Sequence, residues 1–112
     1  MMELEQKKEH LLAFAKRMTE GIEYIKNKDD HKGLEMLQPF IDLMKESDTA
    51  QVRMFAYYAI AQFRTGHIEG FMETFSYLKE MPVKNEEEQK IKDQVEQMFH
   101  LIMNELKKEE SE

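Results

Sequence analysis

One segment in the middle of the chain constrains the fold more than any other feature. Its apolar residues fall on almost every side of a predicted helix: Val52, Met54, Phe55, Ala56, Tyr57, Tyr58, Ala59, Ile60, Ala61 and Phe63. A helix that is apolar over most of its surface has to be covered on several sides. We therefore predict that it lies at the centre of the molecule, with other helices packed around it.

The rest of the sequence supplies these neighbours. Four more segments repeat apolar residues at spacings of three and four, which is the pattern of an amphipathic helix. Four Gly and two Pro among 112 residues are too few for the many turns of an all-β fold. Because short links favour antiparallel neighbours, we predict a single all-α domain of about five antiparallel helices in consecutive hairpins. The predicted helices cover 1–28, 30–45, 49–64, 67–80 and 86–106, and a frayed charged tail covers 107–112.

The outer helices are each expected to bury one apolar stripe against the central helix, since residues at this spacing share a helix face. In the first helix the stripe consists of Leu4, Leu11, Phe14, Ala15, Met18, Ile22 and Ile25. In the fourth helix it consists of Ile68, Phe71, Met72, Phe75 and Leu78, and in the fifth of Ile91, Val95, Met98, Ile102 and Leu106.

Two local signals concern the regularity of the helices. Pro39 lies inside the second helix, where a proline removes one backbone donor and clashes one turn back. It predicts a kink or a break near residues 35–39. At the start of the fifth helix, Asn85 is a strong N-cap, and Glu88 stands at the capping-box position from which its side chain can bond back to Asn85.

Residues 53–82 carry a recognisable combination of features. Small and aromatic residues fill the first helix of the hairpin, Gly66 marks the turn, Ile68 follows it, Phe75 lies in the second helix, and Pro82 closes the segment. This stretch resembles a tetratricopeptide repeat, although Phe71 stands where that family usually has Ala. The fold is therefore expected to be either a tetratricopeptide-like right-handed array or an unrelated small helical bundle.

The resemblance implies that the chain binds a peptide or a protein on the concave side formed by the first helix of each hairpin. It also implies that the fifth helix caps the array, because a terminal hairpin otherwise exposes its apolar face. One subclass of the family clamps a C-terminal carboxylate with Lys and Asn side chains. Here Met18, Ile22 and Ala56 stand at the corresponding places and only Arg53 is basic, so no such clamp is predicted.

Signals for catalysis or metal binding are missing from the sequence. It has no Cys, which excludes disulfides and thiolate metal sites, and no serine lies in a Gly-x-Ser-x-Gly motif. Metal sites in helical bundles use Glu-x-x-His pairs, and none of the four histidines has Glu three residues before it. We predict no catalytic residue, cofactor or metal site, no enzyme activity and no enclosed polar pocket. The histidines are His10, His31, His67 and His100.

The charge distribution bears on the class of partner. The formal net charge is −7, and residues 86–112 hold nine acidic and four basic residues. A nucleic-acid-binding protein needs a basic patch, so a nucleic-acid partner is not expected. The longest nearly apolar run, 55–61, is far shorter than the roughly 20 residues that span a bilayer, and the start of the chain does not resemble a secretory signal. We expect a cytoplasmic protein without a membrane partner.

The third helix also contains the best candidate for an interaction surface. Arg53, Tyr57, Ile60 and Arg64 fall at spacings of four, three and four, on one stripe. Arg and Tyr are the residue types that most often anchor interfaces, so we predict that these four bind a partner. Tyr57 could instead pack between helices. Two other functions stay open: a homodimer formed through a leftover apolar stripe on the first or fifth helix, and a small-ligand-binding bundle.

Overall fold

The computed structural model describes residues 2–110, with the side chains of Glu9 and of residues 12–110. Five helices account for most of it: α1 (Met2–Lys26), α2 (Asp30–Ser47), α3 (Val52–Arg64), α4 (Ile68–Leu78) and α5 (Glu86–Glu110). No strand occurs within residues 2–110. The prediction of an all-α fold with five helices is confirmed. The segment predicted as a frayed tail is helical as far as Glu110, and Lys107 and Lys108 give its last turn the positive charge that the helix dipole favours.

Helix α3 lies at the centre and packs against each of the other four helices. Its 13 residues include eight buried ones, and Phe55, Ala56, Ala59 and Ala61 have no exposed surface. The core around it is completed by residues from every other helix, in a list that includes Ile22, Ile25, Leu37, Ile41, Phe71, Leu78 and Val95. Neighbouring helices therefore cover most of the apolar surface of α3.

The order of packing follows the order of the chain. Each helix packs against the next, and α3 also packs against both α1 and α5. The backbones of α2 and α4 do not approach each other closely within the described residues, but Lys45 Nζ and Glu73 Oε1 join them at 3.0 Å. The described part of the chain measures 67 × 27 × 26 Å along its principal axes.

Two glycines allow α1 and α2 to approach closely. A Cβ on Gly21 would come 2.5 Å from Leu37 Cδ2, and a Cβ on Gly33 would overlap the side chain of Ile25 and lie 3.1 Å from the carbonyl oxygen of Gly21. Ile25 and Leu37 are fully buried at this crossing. The absence of both side chains is therefore what lets the first hairpin close.

Of the kink or break predicted at Pro39, the break does not occur. Helix α2 is continuous from Asp30 to Ser47, with Pro39 inside it. The proline deprives the Glu35 carbonyl of its usual donor, but Pro39 and Glu35 both lie on the exposed face of the helix. A carbonyl on that face can be hydrated, so the lost hydrogen bond costs much less than it would in the core.

The predicted apolar stripes are only partly buried. Phe14 and Ala15 in α1, Ile68 in α4 and Leu106 in α5 are exposed, whereas Leu4 and Leu11 lie outside the described side chains. For Leu106 the cause is a mismatch of helix lengths, since α5 has 25 residues and α4 has 11. At 1.5 Å per residue, α5 is about 20 Å longer than its neighbour, so part of its stripe has nothing to pack against.

The start of α5 follows the predicted cap with one change. The backbone N–H of Glu88 donates to Asn85 Oδ1 at 2.9 Å, which confirms Asn85 as the N-cap. The Glu88 carboxylate does not return to the Asn85 backbone. Its Oε1 atom accepts instead from the N–H of Lys84 at 2.8 Å, so the side chain holds the residue before the cap.

We expect Gly33→Ala to lower the free energy of unfolding by about 1–3 kcal/mol, because the new methyl group has no space beside Ile25 and the Gly21 carbonyl. Helix propensity alone predicts the opposite sign, a gain of about 1 kcal/mol. Urea denaturation followed by circular dichroism measures the difference. Glu35→Ala, at an exposed site of the same helix, is the control and should change stability little. A Gly33→Ala variant as stable as the parent would contradict the close packing of α1 and α2.

Candidate functional site

The structure separates the four residues predicted to bind a partner. Ile60 is buried in the core and has no surface to offer. Tyr57 is half-buried, and its ring lies 6.0 Å from Arg53 Cζ and 5.7 Å from Lys26 Nζ. Arg53 and Tyr57 therefore form a small cationic and aromatic surface, whereas the other two members of the stripe do not contribute to it.

Arg53 connects the starts of α3 and α5. Its Nε atom lies 3.3 Å from Glu87 Oε1, but the geometry does not make a hydrogen bond, so the contact is a charge interaction alone. Pairs of this kind between partly exposed side chains contribute about 0–1 kcal/mol. The Arg53 guanidinium is therefore only weakly held. Its role in binding a partner stays a prediction.

Arg64 makes contacts within the fold. Its Nη2 atom donates to the carbonyl oxygen of Ile25 at 2.8 Å and to Asp30 Oδ1 at 2.7 Å. These bonds join the end of α3 to the end of α1 and the start of α2. The Asp30 side chain is only 12% exposed, so Arg64 supplies most of the compensation for its charge. A structural role accounts for Arg64 without a partner.

An apolar groove lies where α5 continues past its neighbours. Arg53 and Glu87 place the starts of α3 and α5 side by side, and α3 has 13 residues against 25 in α5. At 1.5 Å per residue, the end of α5 therefore reaches about 18 Å beyond the end of α3. The space beside it has a volume of about 320 Å³ and is lined by Phe63, Ile68, Leu101, Ile102, Glu105, Leu106 and Glu109.

The groove is apolar at its centre and acidic at its edge. Leu101 is 58% exposed, Leu106 47% and Ile68 38%, which is unusual for three large aliphatic side chains close together. Only Glu105 and Glu109 are charged among the lining residues. Helix α5 as a whole has eight acidic and four basic residues. The sequence analysis assigned Ile102 and Leu106 to the core, and only the lengths of the folded helices reveal the groove.

A second concave surface lies on the other side of α4. It is an open cleft of about 550 Å³ between α2 and the first turn of α4, with α3 as its floor. Tyr58 and Gln62 line the floor, and burial, followed by the negative charges of Asp42 and Glu73, raises the pKa of the Tyr58 hydroxyl. The sequence analysis did not anticipate this cleft. A signal for it was present, because Gln62 is a polar residue between Ala61 and Phe63 in the most apolar helix.

The described part of the chain offers no candidate metal site and no candidate membrane span. No three side chains of His, Cys, Asp or Glu there come close enough together to hold a metal ion. None of the helices between residues 2 and 110 combines the length and the apolar character needed to cross a bilayer. The groove and the cleft are therefore the surfaces from which a function has to be argued.

Comparison with known proteins adds no assignment: no family model, no curated protein and no solved structure matches the chain. The groove, the cleft and the Arg53–Tyr57 surface are therefore the candidate functional surfaces.

We expect Arg64→Ala to lower the free energy of unfolding by about 1–2 kcal/mol, because it removes two hydrogen bonds and leaves the Asp30 carboxylate unpaired. Arg53→Ala is the matched control on the same helix and should change stability by about 0.5 kcal/mol or less. Chemical denaturation of the two variants measures the contrast. Equal losses at both positions would contradict the structural role given to Arg64.

Proposed function

We propose that the chain is a non-enzymatic interaction module that holds a basic amphipathic helix of a partner protein in the groove beside α5. The observation that carries this proposal is the exposure of Leu101, Leu106 and Ile68 around one groove. Apolar patches that stay exposed on a folded domain commonly mark interaction sites. The chain has a formal net charge of −7, which suits a basic partner and disfavours nucleic acid.

The shape of the groove favours a helix as the occupant. Its wall is the exposed face of α5, and the apolar residues Leu101, Ile102 and Leu106 follow each other along about one and a half turns of that helix. An amphipathic helix laid beside α5 would place its own apolar side chains against this wall, in the way that helices bind in grooves elsewhere. Such a helix would continue the sequential packing of α3, α4 and α5.

The charges favour a basic helix. Glu105 and Glu109 lie one turn apart at the edge of the groove, so Lys or Arg side chains flanking the apolar stripe of the partner would meet them. Interactions of this type raise the association rate and select the orientation more than they raise affinity. We therefore expect binding that weakens with increasing salt.

The sequential packing also supports the resemblance to tetratricopeptide repeats. Neighbouring helices pack in chain order, α3 packs against α1 and α5, and Gly66 at the predicted turn has a φ of 81°, which favours glycine. In such an array α5 would be the capping helix, and a cap that only closes the array needs a polar outer face. Leu101 and Leu106 are not explained by capping, which favours a partner at this position. A cytoplasmic location remains part of the proposal.

A homodimer is the alternative that a specific observation favours. Apolar residues are exposed on α1 as well as on α5, and Leu12 is 71% exposed. A second copy could cover either surface. The acidic edge at Glu105 and Glu109 favours a basic partner over a second copy of the same acidic helix.

The proposal is tested with a fluorescent Lys-rich peptide that has Leu at helical spacing, and with a scrambled peptide of the same composition. We expect saturable binding of the first peptide, weaker binding of the scrambled one, and a loss of at least about tenfold in the Leu101→Glu/Leu106→Glu variant, because charges would enter the apolar wall. Fluorescence anisotropy at two salt concentrations measures the affinities. Leu12→Glu, at an exposed apolar site on α1, is the control and should bind normally.

Three outcomes would overturn the proposal. Equal binding of the two peptides would show charge attraction without a groove, and normal binding by the double variant would place the site elsewhere. A dimer in light scattering that becomes a monomer in the Leu101→Glu/Leu106→Glu variant would show that a second copy occupies the groove.

A further inference from the structure

The polar cleft between α2 and α4 lies on a different side of α4 from the α5 groove. Its lining residues are Leu34, Gln38, Tyr58, Gln62, Gly66, His67, Ile68, Glu69 and Gly70. Ile68 alone lines both surfaces. With a volume of about 550 Å³, the cleft is the larger of the two and has room for a small molecule.

Gln62 presents a buried donor to this cleft. Its side chain is 8% exposed, and its Oε1 atom accepts a hydrogen bond of 2.7 Å from Thr74 Oγ1. That bond orients the amide so that Nε2 lies over Gly70, where a Cβ would come within 2.6 Å of it. Nε2 makes no hydrogen bond within the described residues, and unlike Arg53 Nε it is not fully enclosed, so it can donate into the cleft. The amide group of a largely buried side chain that lacks a protein partner needs water or a ligand as its acceptor.

The first turn of α4 adds further donors at the same place. His67 occupies the N-cap position without a side-chain bond to the helix, and its Nδ1 atom is engaged with Thr65 Oγ1 at 2.7 Å. The N–H groups of Glu69 and Gly70 have no acceptor within the described residues. Unpaired N–H groups at the start of a helix, together with its dipole, attract a carboxylate or another anion.

Glu69 is the one charged side chain among the residues that line the cleft, whereas Asp42 and Glu73 lie near Tyr58 and Lys45 pairs with Glu73. Glu69 has no ion-pair partner in the described structure. The Tyr58 hydroxyl has no hydrogen-bond partner among the described residues either, and a tyrosine hydroxyl is protonated at neutral pH, so it can donate. A simple anion would be repelled by Asp42 and Glu69. A ligand that also carries a positive charge would be attracted by them.

We infer that this cleft binds a small zwitterion, a free amino acid or a short peptide, with its carboxylate on Gln62 Nε2 and the first turn of α4 and its ammonium group toward Glu69. Leu34 and Ile68 in the lining leave an apolar wall for the side chain of the ligand. This site does not depend on the docking of a helix beside α5, because Gln62, Glu69 and Gly70, which supply its donors, do not line the α5 groove.

The first experiment titrates ¹⁵N-labelled protein with leucine in two-dimensional NMR. We expect saturable shifts of the Gln62 side-chain amide and of the backbone amides of Glu69 and Gly70. Two analogues of leucine test its charged groups separately. 4-Methylpentanoate lacks the ammonium group, and 3-methylbutylamine lacks the carboxylate. Each should bind at least about tenfold more weakly than leucine, because it loses one of the two charge interactions. Leucyl-leucine, titrated in parallel, distinguishes a free amino acid from a peptide.

Two variants test the residues. Gln62→Glu keeps an acceptor for Thr74 but removes the amide donor, and Gly70→Ala places a methyl group against Nε2 without changing any charge. Both should weaken leucine binding at least about tenfold. Gln97→Glu, at an exposed position of α5, is the matched control and should bind as the parent does. If Gln62→Glu does not fold, the Gly70→Ala variant and the two leucine analogues still test the inference.

The inference is overturned if neither leucine nor leucyl-leucine gives saturable shifts at these amides at millimolar concentration. It is also overturned if 4-methylpentanoate binds as tightly as leucine, which would indicate a simple anion site, or if Gly70→Ala binds leucine unchanged. Binding to leucine with shifts confined to Leu101 and Leu106 would place the ligand in the other groove and would equally contradict it.

Discussion

The burial of α3 is the constraint on which the rest of the structure depends. A helix with Phe55, Ala56, Ala59 and Ala61 fully enclosed is stable only when neighbours cover most of its surface. The four other helices meet this requirement by packing around it. Because α3 has only 13 residues, α1 and α5, with 25 each, extend beyond the part of the core that it organises. The exposed Leu101 and Leu106 lie on the extension of α5.

The sequence was sufficient for those features that local pattern determines. Apolar spacing identified five helices and the central position of α3, and the Asn85 cap follows from side-chain chemistry within one turn. Whether Pro39 breaks the helix could not be predicted, because its effect depends on whether the carbonyl left without a donor faces water. The exposure of Leu106 depends on the relative lengths of packed helices. The hydrogen bond from Arg64 to Asp30 depends on the approach of residues 34 positions apart. None of these three is visible in a spacing pattern.

The groove and the cleft lie near the end of α3 and differ in chemistry. The groove presents exposed aliphatic side chains with an acidic edge. The cleft presents hydrogen-bond donors that have no partner among the described residues. Ile68 stands between the two, at the start of α4. The Arg53–Tyr57 surface, near the opposite end of α3, is held only by a weak ion pair and cation–π contacts. The difference in length between α3 and α5 and the largely buried Gln62 therefore distinguish the end of α3 from the rest of the molecule.

The central claim is that a basic amphipathic helix lies in the groove beside α5. Intermolecular nuclear Overhauser effects between the leucine methyl groups of the unlabelled Lys-rich peptide and the ¹³C-labelled protein test it most directly. The account predicts contacts from these methyl groups to Phe63, Ile68, Leu101 and Leu106. Contacts to Tyr57, or to Leu12 and Phe14 on α1, with none in the groove, would contradict it.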